Sequence, residues 1–562
     1  MAFNRFRPTS HFIPPHSWSN DPCGAVYIPE TKEYRICYQW NPGTTQGGNS
    51  AWGMARSKDL IMWEDCSPAL RNGATYDRLG VFSGSIVSRI LDGRRVLFLF
   101  YTSVSAVPIH WSLPYLDGCE SQSVAFSADY GNSWQRYEHN PLMTRPPKLE
   151  KTTGWRDPFV SKWEPMSKLL GVDSSTDYML IASGVRGRGP QLLLYQSNDL
   201  LHWQPTCTLL EVEANAKITP TSELNFGMNF ECASFFIIGE RHYIIIGVEE
   251  DKSSKRHDCH ALLWLSGTLS LENGKPKFNI TSHGQLDHGI AYAAHIFRDA
   301  EGRILQLGWA NEAANRQIVE AQGWAGFLTH PKELYEISVP ISHIEGDMDR
   351  WTTDETSGTM TTLGMRLAPQ VSQLRQTAPI TSLDGLRSLR STNYDIGATF
   401  RNLSGTDRFI FNVLESPTSA EVTKIVFDMA SHRISVHRSR SSLENLGENG
   451  PDEGKFHLLP GEDLDVKVMV DNSIIEVFAN GRFAITSRVY PSLESSRGVS
   501  WDFGGFDEAC VEMKCWEGLR GAWPERGMEG QHRLEGVGVL TNPAVRGEKV
   551  RIKATELELV HA

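Results

Sequence analysis

The sequence lacks the features that mark membrane proteins, secreted precursors and nucleic-acid-binding proteins. No apolar run approaches the length of a membrane span, and the opening residues MAFNRFRPTSHFIPPHSW are not apolar enough for a signal peptide. Basic residues are not in excess, because the net charge is −12 and the pI is near 5.9. A nucleic-acid partner needs a basic face. We therefore expect no membrane and no nucleic acid among the partners.

Paired cysteines and metal-ligand spacings are also missing. The nine cysteines are odd in number and scattered, with no CxxC or Cys/His pattern of a zinc site. Free thiols fit a reducing compartment, so we expect a cytoplasmic location and no metal. The expected cytoplasmic location would not hold for a secreted protein whose signal peptide had been removed from the sequence.

Long helical periodicity is absent over the first 340 residues, where short β-branched and aromatic runs occur instead. Residues 96–101, 178–183, 235–239 and 243–248 are such runs, and each is bounded by turn residues. Hydrophobic residues make up 40% of the chain and charged residues 22%, which is ordinary for a globular protein. The pattern favours an all-β fold in more than one domain, since 562 residues exceed a single core.

An internal repeat runs through this β-rich part. Three polar turns that lead into a tryptophan place Asp59, Asp129 and Asp199 at intervals of 70 residues. Motifs near residues 21, 83, 157, 231 and 287 fit the openings of five successive repeats. A repeat of this size with about four strands is typical of a propeller blade. We predict a five-bladed β-propeller over residues 1–345, with the first strand of each blade lining the axial channel.

The composition and hydrophobic pattern of the sequence change after residue 345. Residues 346–365 are polar and turn-rich and are interpreted as a linker. Alternating strands follow, and Asn480-Gly481 between apolar runs is a hairpin signal. We predict a β-sandwich over residues 366–562, with a long Gly-rich loop or insertion at 516–548. Its strand edges could support a homodimer.

Three acids stand in unlike surroundings within the repeats. Asp21 and Asp157 each precede a proline, which disfavours helix at the preceding residue and so holds each in an extended or turn conformation. Glu231 follows in Phe-Glu-Cys. Acids held in different environments suggest glycosyl-transfer chemistry, in which one carboxylate attacks and another donates a proton.

The order of the motifs resembles glycoside hydrolase family 32, the β-fructofuranosidases, which includes invertases, inulinases, levanases and fructosyltransferases. The motifs are WSNDPCG (18–24), YQWNP (38–42), FSGS (82–85), WRDP (155–158), FEC (230–232) and DHGIAYA (287–293). WAGFLTHPKEL (324–334) and DNSIIE (471–476) are similar to later signatures of the family, so the resemblance spans both domains. It implies a five-bladed propeller joined to a β-sandwich, with retaining chemistry at a fructosyl unit and no cofactor.

The resemblance also implies roles for the three acids. Asp21 would be the nucleophile, Asp157 the transition-state stabiliser and Glu231 the acid/base. A retaining pair of carboxyls lies about 5–5.5 Å apart. Apolar neighbours are expected to raise the pKa of Glu231 and keep it protonated, and Arg156 is expected to favour the ionised form of Asp157 and to hold sugar hydroxyls.

Further positions match family residues that bind the sugar or wall its pocket. Those expected around the fructosyl unit are Asn20, Gln39, Trp52, Phe82, Ser83, Arg156, Tyr292 and Trp309. Glu249 and His260 are candidates to meet the leaving-group or acceptor sugar.

Departures from the family pattern are informative. Cys23 is similar to the fungal fructosyltransferase and intracellular invertase branch, Met54 stands where relatives often carry histidine, and His288 replaces a common aromatic. The leading hypothesis is hydrolysis of sucrose and short fructo-oligosaccharides, and the alternative is fructosyl transfer that makes kestose-type products. A non-catalytic fructan-binding propeller and a propeller glycosidase acting on pentosides are the rivals.

Overall fold

The computed structural model describes residues 2–147, 151–250, 260–343 and 346–526 of the chain. Most of these residues form strands, and the α-helices have at most seven residues. They are α1 (Ala2–Arg5), α2 (Glu164–Leu170), α3 (Arg316–Gln322) and α4 (Leu383–Arg387). No helix of the described part is long and apolar enough to cross a bilayer.

Five sheets build the first domain, and their strands follow one another along the chain, which confirms the predicted five-bladed propeller. The first blade contains β1 (Ser17–Ile28), β2 (Glu33–Asn41), β3 (Ala51–Ser57) and β4 (Trp63–Leu70). The second contains β5 (Gly80–Leu91), β6 (Arg94–Val104), β7 (Glu120–Ser127) and β8 (Gln135–Arg136). The third contains β9 (Thr152–Lys162), β10 (Asp177–Val185), β11 (Gly189–Ser197) and β12 (Gln204–Glu211).

The last two blades are larger. The fourth contains β13 (Asn229–Ile238), β14 (Arg241–Glu249), β15 (Ala261–Glu272) and β16 (Lys275–Asp287). The strands that follow are β17 (Ala291–Arg298), β18 (Ile304–Ala310), β19 (Trp324–Ala325), β20 (Phe327–Leu328), β21 (Lys332–Pro340), β22 (Thr352–Asp354) and β23 (Thr359–Leu367). All of these except β19 belong to the fifth blade. Its first strand therefore begins at Ala291, and the motif at Asp287 ends the outer strand of the fourth blade.

The 70-residue rhythm of the sequence corresponds to one turn that recurs between the third and fourth strands of a blade. In the first blade, Asp59 accepts hydrogen bonds from the backbone N–H groups of Ile61 and Met62 at 2.9 and 2.7 Å. Asp199 does the same for Leu201 and His202 in the third blade. These side chains satisfy N–H groups that the turn would otherwise leave unpaired, which explains why the sequence repeats there.

The ring is closed by a parallel pairing between its first strand and a late one. β19 lies beside β1, with Ser17 opposite Trp324 and Trp18 opposite Ala325. Ser19 adds a hydrogen bond from its hydroxyl to the carbonyl of Gly326 at 3.0 Å. Residues more than 300 positions apart therefore fix the strand that carries Asp21.

Part of the stretch that we interpreted as a linker is paired sheet. β23 lies antiparallel to β21 along its whole length, and β22 pairs with β23. The fifth blade thus extends to Leu367, beyond the predicted end of the propeller at residue 345.

Two five-stranded sheets facing a single apolar core form the second domain, and they confirm the predicted sandwich. Its strands are β24 (Asn393–Phe400), β25 (Arg408–Glu415), β26 (Thr423–Asp428), β27 (Arg433–His437), β28 (Asp452–Lys455), β29 (Leu464–Asp471), β30 (Ile474–Ala479), β31 (Phe483–Arg488), β32 (Gly498–Asp502) and β33 (Val511–Glu517). Asn480 and Gly481 connect β30 to β31 with φ of 46° and 61°, as a tight hairpin turn requires. Most of the predicted 516–548 loop lies outside the described residues.

Short 3₁₀ turns connect some of these strands. They are Ile341–His343, Met348–Arg350, Pro369–Leu374, Glu508–Cys510 and Pro524–Arg526.

Candidate active site

Each of the three acids lies on the first strand of a blade, where the strand pairing is irregular. Asp21 is on β1, Asp157 on β9 and Glu231 on β13. The register with the neighbouring strand shifts between Ser19 and Pro22, next to Asp157, and between Glu231 and Ser234. A bulge bends a strand and redirects its side chains, which is a frequent device beside active sites.

The first strands of the other two blades share this irregularity. β5 shifts register between Phe82 and Gly84, and β17 between Tyr292 and His295. In all five blades, the regular hydrogen bonding between the first and second strands is therefore interrupted at the channel. Asp157 has φ of 64°, a left-handed conformation that is uncommon for an aspartate and marks a locally constrained backbone.

Asp21 is surrounded by hydrogen-bond donors. The Ser83 hydroxyl donates to Oδ2 at 2.5 Å, the Asn20 amide donates to Oδ1 at 3.1 Å, and Gln39 reaches Oδ2 at 3.4 Å. Burial raises the pKa of Asp21, with the negative charge of Glu231 as a further cause, and the Ser83 and Asn20 donors oppose that rise.

Cys232 joins the first two acids. Its backbone N–H donates to Asp157 Oδ2 at 2.9 Å, and its thiol lies 3.4 Å from Asp21 Oδ2. Burial raises the pKa of Asp157 to about 7, and the negative charges of Glu231 and Asp21 act in the same direction. The positive charge of Arg156 acts in the expected direction, because it favours the ionised form of Asp157, but it opposes this rise without cancelling it.

Arg156 is directed at other carboxylates instead. Its guanidinium donates to Glu231 Oε1 at 3.0 and 3.1 Å, to Glu120 at 2.8 Å and to Glu249 at 3.3 Å. This buried cation has three acidic partners, so it orients carboxylates, and its expected contact with sugar hydroxyls stays a prediction.

The ionisation of Glu231 differs from what the sequence led us to expect. Burial opposes its charged form, but Arg156, His260 and the Tyr292 hydroxyl outweigh burial, so the pKa of Glu231 is lowered. Tyr292 donates to Oε2 at 3.0 Å. The expectation that the apolar neighbours would raise this pKa is wrong, because the Arg156 side chain reaches Glu231 from the adjacent blade.

Glu249 carries the complementary shift. It ends β14, is buried, and accepts a 2.7 Å hydrogen bond from Asn229. Burial and the nearby Glu231 raise the pKa of Glu249 to about 8. At neutral pH the site therefore retains a proton on carboxyls beside Glu231.

Aromatic residues form the opposite side of the site. His260 stacks on Tyr292 with ring centroids 4.5 Å apart. Trp309 lies opposite Tyr292 on the neighbouring strand and contacts the Trp18 ring edge-on at 5.6 Å. Phe82 is partly exposed beside Ser83.

One expected pocket residue, Trp52, lies in the core behind the site, and so does Met54. Trp52 is completely buried, and its indole N–H donates to the Phe82 carbonyl at 3.1 Å, so it supports the pocket from behind. Met54 is buried with Cys23, Cys37 and Trp52 in one cluster. The substitution at Met54 therefore changes core packing and does not remove a group from the sugar pocket.

Glu120, Asn229 and Cys232 belong to the site and were not among the predicted residues. Glu120 is completely buried and also accepts from the Trp155 backbone N–H at 2.7 Å. Its only sequence signal is an acid at the start of a strand whose other residues are uncharged. Asn229 precedes the Phe-Glu-Cys motif and Cys232 is its last residue, so proximity to Glu231 could have indicated both.

Comparison with known proteins gives two family matches. Residues 11–339 match "Glycosyl hydrolases family 32 N-terminal domain", and residues 365–517 match "Glycosyl hydrolases family 32 C terminal". An insoluble β-fructofuranosidase isoenzyme of Arabidopsis thaliana is 26% identical over 566 residues, covering 91% of this chain and 90% of the relative. A sucrose-6-phosphate hydrolase of Zymomonas mobilis is 27% identical over 521 residues, covering 90% and 91%.

Solved structures give the same result for the fold. The β-fructofuranosidase of Aspergillus kawachii, complexed with glycerol, superposes with a TM-score of 0.82 at 26% identity, covering 94% of this chain and 96% of that chain. A fructosyltransferase from A. japonicus has a TM-score of 0.79 at 24% identity, covering 93% and 97%, a likeness that shows the fold alone.

Proposed function

The chain belongs to glycosyl hydrolase family 32, and from this premise we propose how its channel cleaves a β-fructofuranoside. It is a glycoside hydrolase of the β-fructofuranosidase type, acting on terminal fructosyl units of sucrose. The observation that carries the mechanism is the convergence of Asp21, Asp157 and Glu231 on one channel. Asp21 and Asp157 meet at Cys232, and Glu231 meets Arg156 and Tyr292.

Asp21 is the nucleophile. Three side chains hold its carboxylate in one orientation, so it can attack C2 of the fructosyl unit and form a covalent ester while the glycosidic C–O bond breaks. Asp157 stabilises the oxocarbenium-like transition state through hydrogen bonds to ring hydroxyls. One of its oxygens is fixed by the Cys232 backbone, which sets the direction of the carboxylate.

Glu231 transfers the proton in both steps. It protonates the departing oxygen, then takes a proton from the water that hydrolyses the ester, so Asp21 is regenerated and fructose leaves. In the free enzyme the Arg156 guanidinium lowers the pKa of Glu231, whereas burial raises the pKa of Glu249 to about 8. The proton that Glu231 donates is shared among the carboxyls around Arg156. The acid and alkaline limbs of the pH–rate profile therefore report the titration of this group of carboxyls as a whole.

The rival functions make different demands on the site. A non-catalytic fructan-binding propeller has no need of three acids in one channel. A pentosidase is not favoured, because both domains match family 32. Transfer to a sugar differs from hydrolysis only in the acceptor that attacks the ester, so product analysis distinguishes these two outcomes.

The test is fructose release from sucrose by the purified full-length chain and by Asp21→Asn. We expect kcat to fall by about 10³-fold or more in Asp21→Asn, since the step it initiates is lost. Asp59→Asn, in the turn at the other end of the first blade, is the matched control and should keep its turnover. Turnover retained in Asp21→Asn would refute the assignment. With concentrated sucrose, equimolar glucose and fructose indicate hydrolysis, and kestose formation indicates transfer.

A further inference from the structure

Glu120 reaches the site from β7, the third strand of the second blade, and not from a first strand. Its side chain is completely buried, and each of its oxygens has a separate donor on β9. Oε2 accepts from the backbone N–H of Trp155 at 2.7 Å, and Oε1 accepts from Nη1 of Arg156 at 2.8 Å. Gln122, two residues further along β7, donates to the Trp155 carbonyl at 2.8 Å. β7 therefore holds the two residues that precede Asp157.

The Arg156 guanidinium lies between Glu120 and the proton donor Glu231. Its Nη1 atom donates to Glu120, whereas Nε and Nη2 both donate to Oε1 of Glu231, at 3.1 and 3.0 Å. Gly154 leaves the space for this arrangement, because a Cβ atom there would lie 2.4 Å from Nη1. Two acids therefore bind different edges of one fixed cation.

The charge of this cation must be balanced while Glu231 is protonated. A guanidinium with Glu231 as its sole counter-ion would favour the charged form of that acid, which has no proton to donate. Glu249 is 3.3 Å from Nη2, but burial and the charge of Glu231 raise the pKa of Glu249 to about 8, so it is largely protonated at neutral pH. Glu120 is thus the partner whose negative charge offsets that of Arg156.

We propose that Glu120 is a positioning residue for proton transfer, which holds the Arg156 guanidinium and balances its charge so that Glu231 can carry the proton it donates. This inference rests on the proposed function. As the glycosidic C–O bond breaks, the proton passes from Glu231 to the departing oxygen, and Arg156 stabilises the carboxylate that remains. Because Glu120 is completely buried, it acts on this step through the guanidinium and not through the sugar.

The test is the pH dependence of kcat/KM for sucrose in Glu120→Gln, which keeps the shape of the side chain and removes its charge. Arg156 is then balanced by Glu231 alone, so Glu231 should lose its proton at lower pH. We expect the alkaline limb to shift downward by about 1 unit, and kcat/KM above that limb to fall about tenfold. Glu120→Asp retains the charge, so its alkaline limb should stay within about 0.3 unit of that of the parent chain.

An activated leaving group separates proton transfer from a structural role. The phenol of a nitrophenyl β-fructofuranoside departs without a proton, so kcat/KM for this substrate should stay within about twofold in Glu120→Gln. Asp77→Asn is the matched control, because Asp77 is also completely buried and is paired at 2.9 Å with an arginine, Arg136, on the outer strand β8. This control should lower the melting temperature without moving either limb.

Three results would overturn the proposal. They are an alkaline limb in Glu120→Gln that stays in place or moves upward, an equally large downward shift in Glu120→Asp, and an equal loss for sucrose and the nitrophenyl substrate. Carbon NMR titration of the glutamate carboxyls, with Glu231→Gln to identify the signal, measures the same shift without turnover. If the parent chain released no fructose, the proposed function would fail, while this titration would still show whether Glu120 controls the protonation of Glu231.

Discussion

At the scale of single residues, Arg156 organises the site. Its guanidinium contacts Glu120, Glu231 and Glu249 together, and the pKa values of Glu231 and Glu249 shift in opposite directions beside it. Glu231 is held toward its charged form, while Asp157 and Glu249 are held toward their neutral forms by burial. The protonation state of each acid is therefore a property of the group.

Replacing Tyr292 with phenylalanine should move the alkaline limb of the pH profile. The lost hydroxyl donates to the charged form of Glu231, so the pKa of Glu231 should rise. A proton donor with a higher pKa stays protonated to higher pH, and we expect the alkaline limb of kcat/KM to shift upward by about 0.5–1 unit. Tyr243→Phe is the control, since the Tyr243 hydroxyl binds Glu336 outside the channel. An alkaline limb that stays in place or moves down would contradict the assignment.

Ser83→Ala should move the acid limb. Burial raises the pKa of Asp21, and the 2.5 Å hydrogen bond from Ser83 opposes that rise. Without this donor the pKa of Asp21 should rise further, so the nucleophile is protonated sooner as the pH falls. The acid limb of kcat/KM should shift upward by about 1 unit. Ser88→Ala, further along the same strand, should leave both limbs in place, and a downward shift in Ser83→Ala would refute the role of this bond.

At the scale of secondary structure, the first strands of the five blades share a bulge, and the first three blades share a turn. The turn could be predicted, because Asp59, Asp129 and Asp199 recur at a fixed spacing and their side chains act locally. The bulges could not be predicted in the same way, because a register shift is a relation between two strands. Asp157 and Cys232 both adopt positive φ, and the residue types around them do not signal the register shift.

The same distinction explains which parts of the site could be found from the sequence. Asp21, Asp157 and Glu231 lie in motifs whose order is specific to a family. Glu120 lies in no motif. Its role comes from its contact with Arg156, which is 36 positions away and lies on the next blade. The pKa of Glu231 was mispredicted for the same reason, since its immediate neighbours are apolar and its partner is distant in sequence.

Asp59→Ala should destabilise the first blade through its turn. The aspartate accepts two backbone hydrogen bonds, at 2.9 and 2.7 Å, and alanine leaves both N–H groups to water. We expect the free energy of unfolding, measured in urea, to fall by about 1–2 kcal/mol. Asp199→Ala should cost about as much, because its two bonds are equivalent. Lys58→Ala, an exposed neighbour in the turn, is the control; an equal loss there would show that the aspartate is not the cause.

At the scale of the whole molecule, buried ions join the N-terminal segment, the propeller and the sandwich. His11 lies between Asp471 and Glu476 of the sandwich, at 2.8 and 3.1 Å. Lys332 of the fifth blade is 3.5 Å from Glu476. His330 stacks on His11 with ring centroids 3.8 Å apart. Because removing one partner of a buried pair leaves the other charge uncompensated, these ions hold the two domains in one arrangement.

This cluster predicts how stability depends on pH. Burial opposes the charged form of His11, but the two carboxylates outweigh burial and raise its pKa to about 9. Its contribution is complete below the ordinary histidine pKa of about 6.5 and is lost as the pH rises through about 9. For Glu476, burial is outweighed by Lys332 and His11, and the pKa falls to about 2. Its contribution is complete above about pH 4.5 and is lost as the pH falls through about 2.

The melting temperature, followed by calorimetry, should therefore be highest between about pH 4.5 and 6.5. In His11→Gln it should be much lower, because two buried carboxylates lose a cation, at a cost of about 3–5 kcal/mol. Its decline between pH 6.5 and 9 should also be weaker than in the parent chain. His139→Gln, whose side chain is 73% exposed beside Glu138, is the control. A parent chain with an equally weak decline over this range would contradict the assignment to His11.

The closure of the ring by β19 against β1 has a consequence for biosynthesis. The strand that carries Asp21 leaves the ribosome about 300 residues ahead of Trp324 and Ala325, which are the partners of Ser17 and Trp18. A nascent chain that ends before these residues holds the nucleophile on an open sheet edge. The strand that carries the nucleophile therefore gains this parallel partner only after the first four blades have been synthesised.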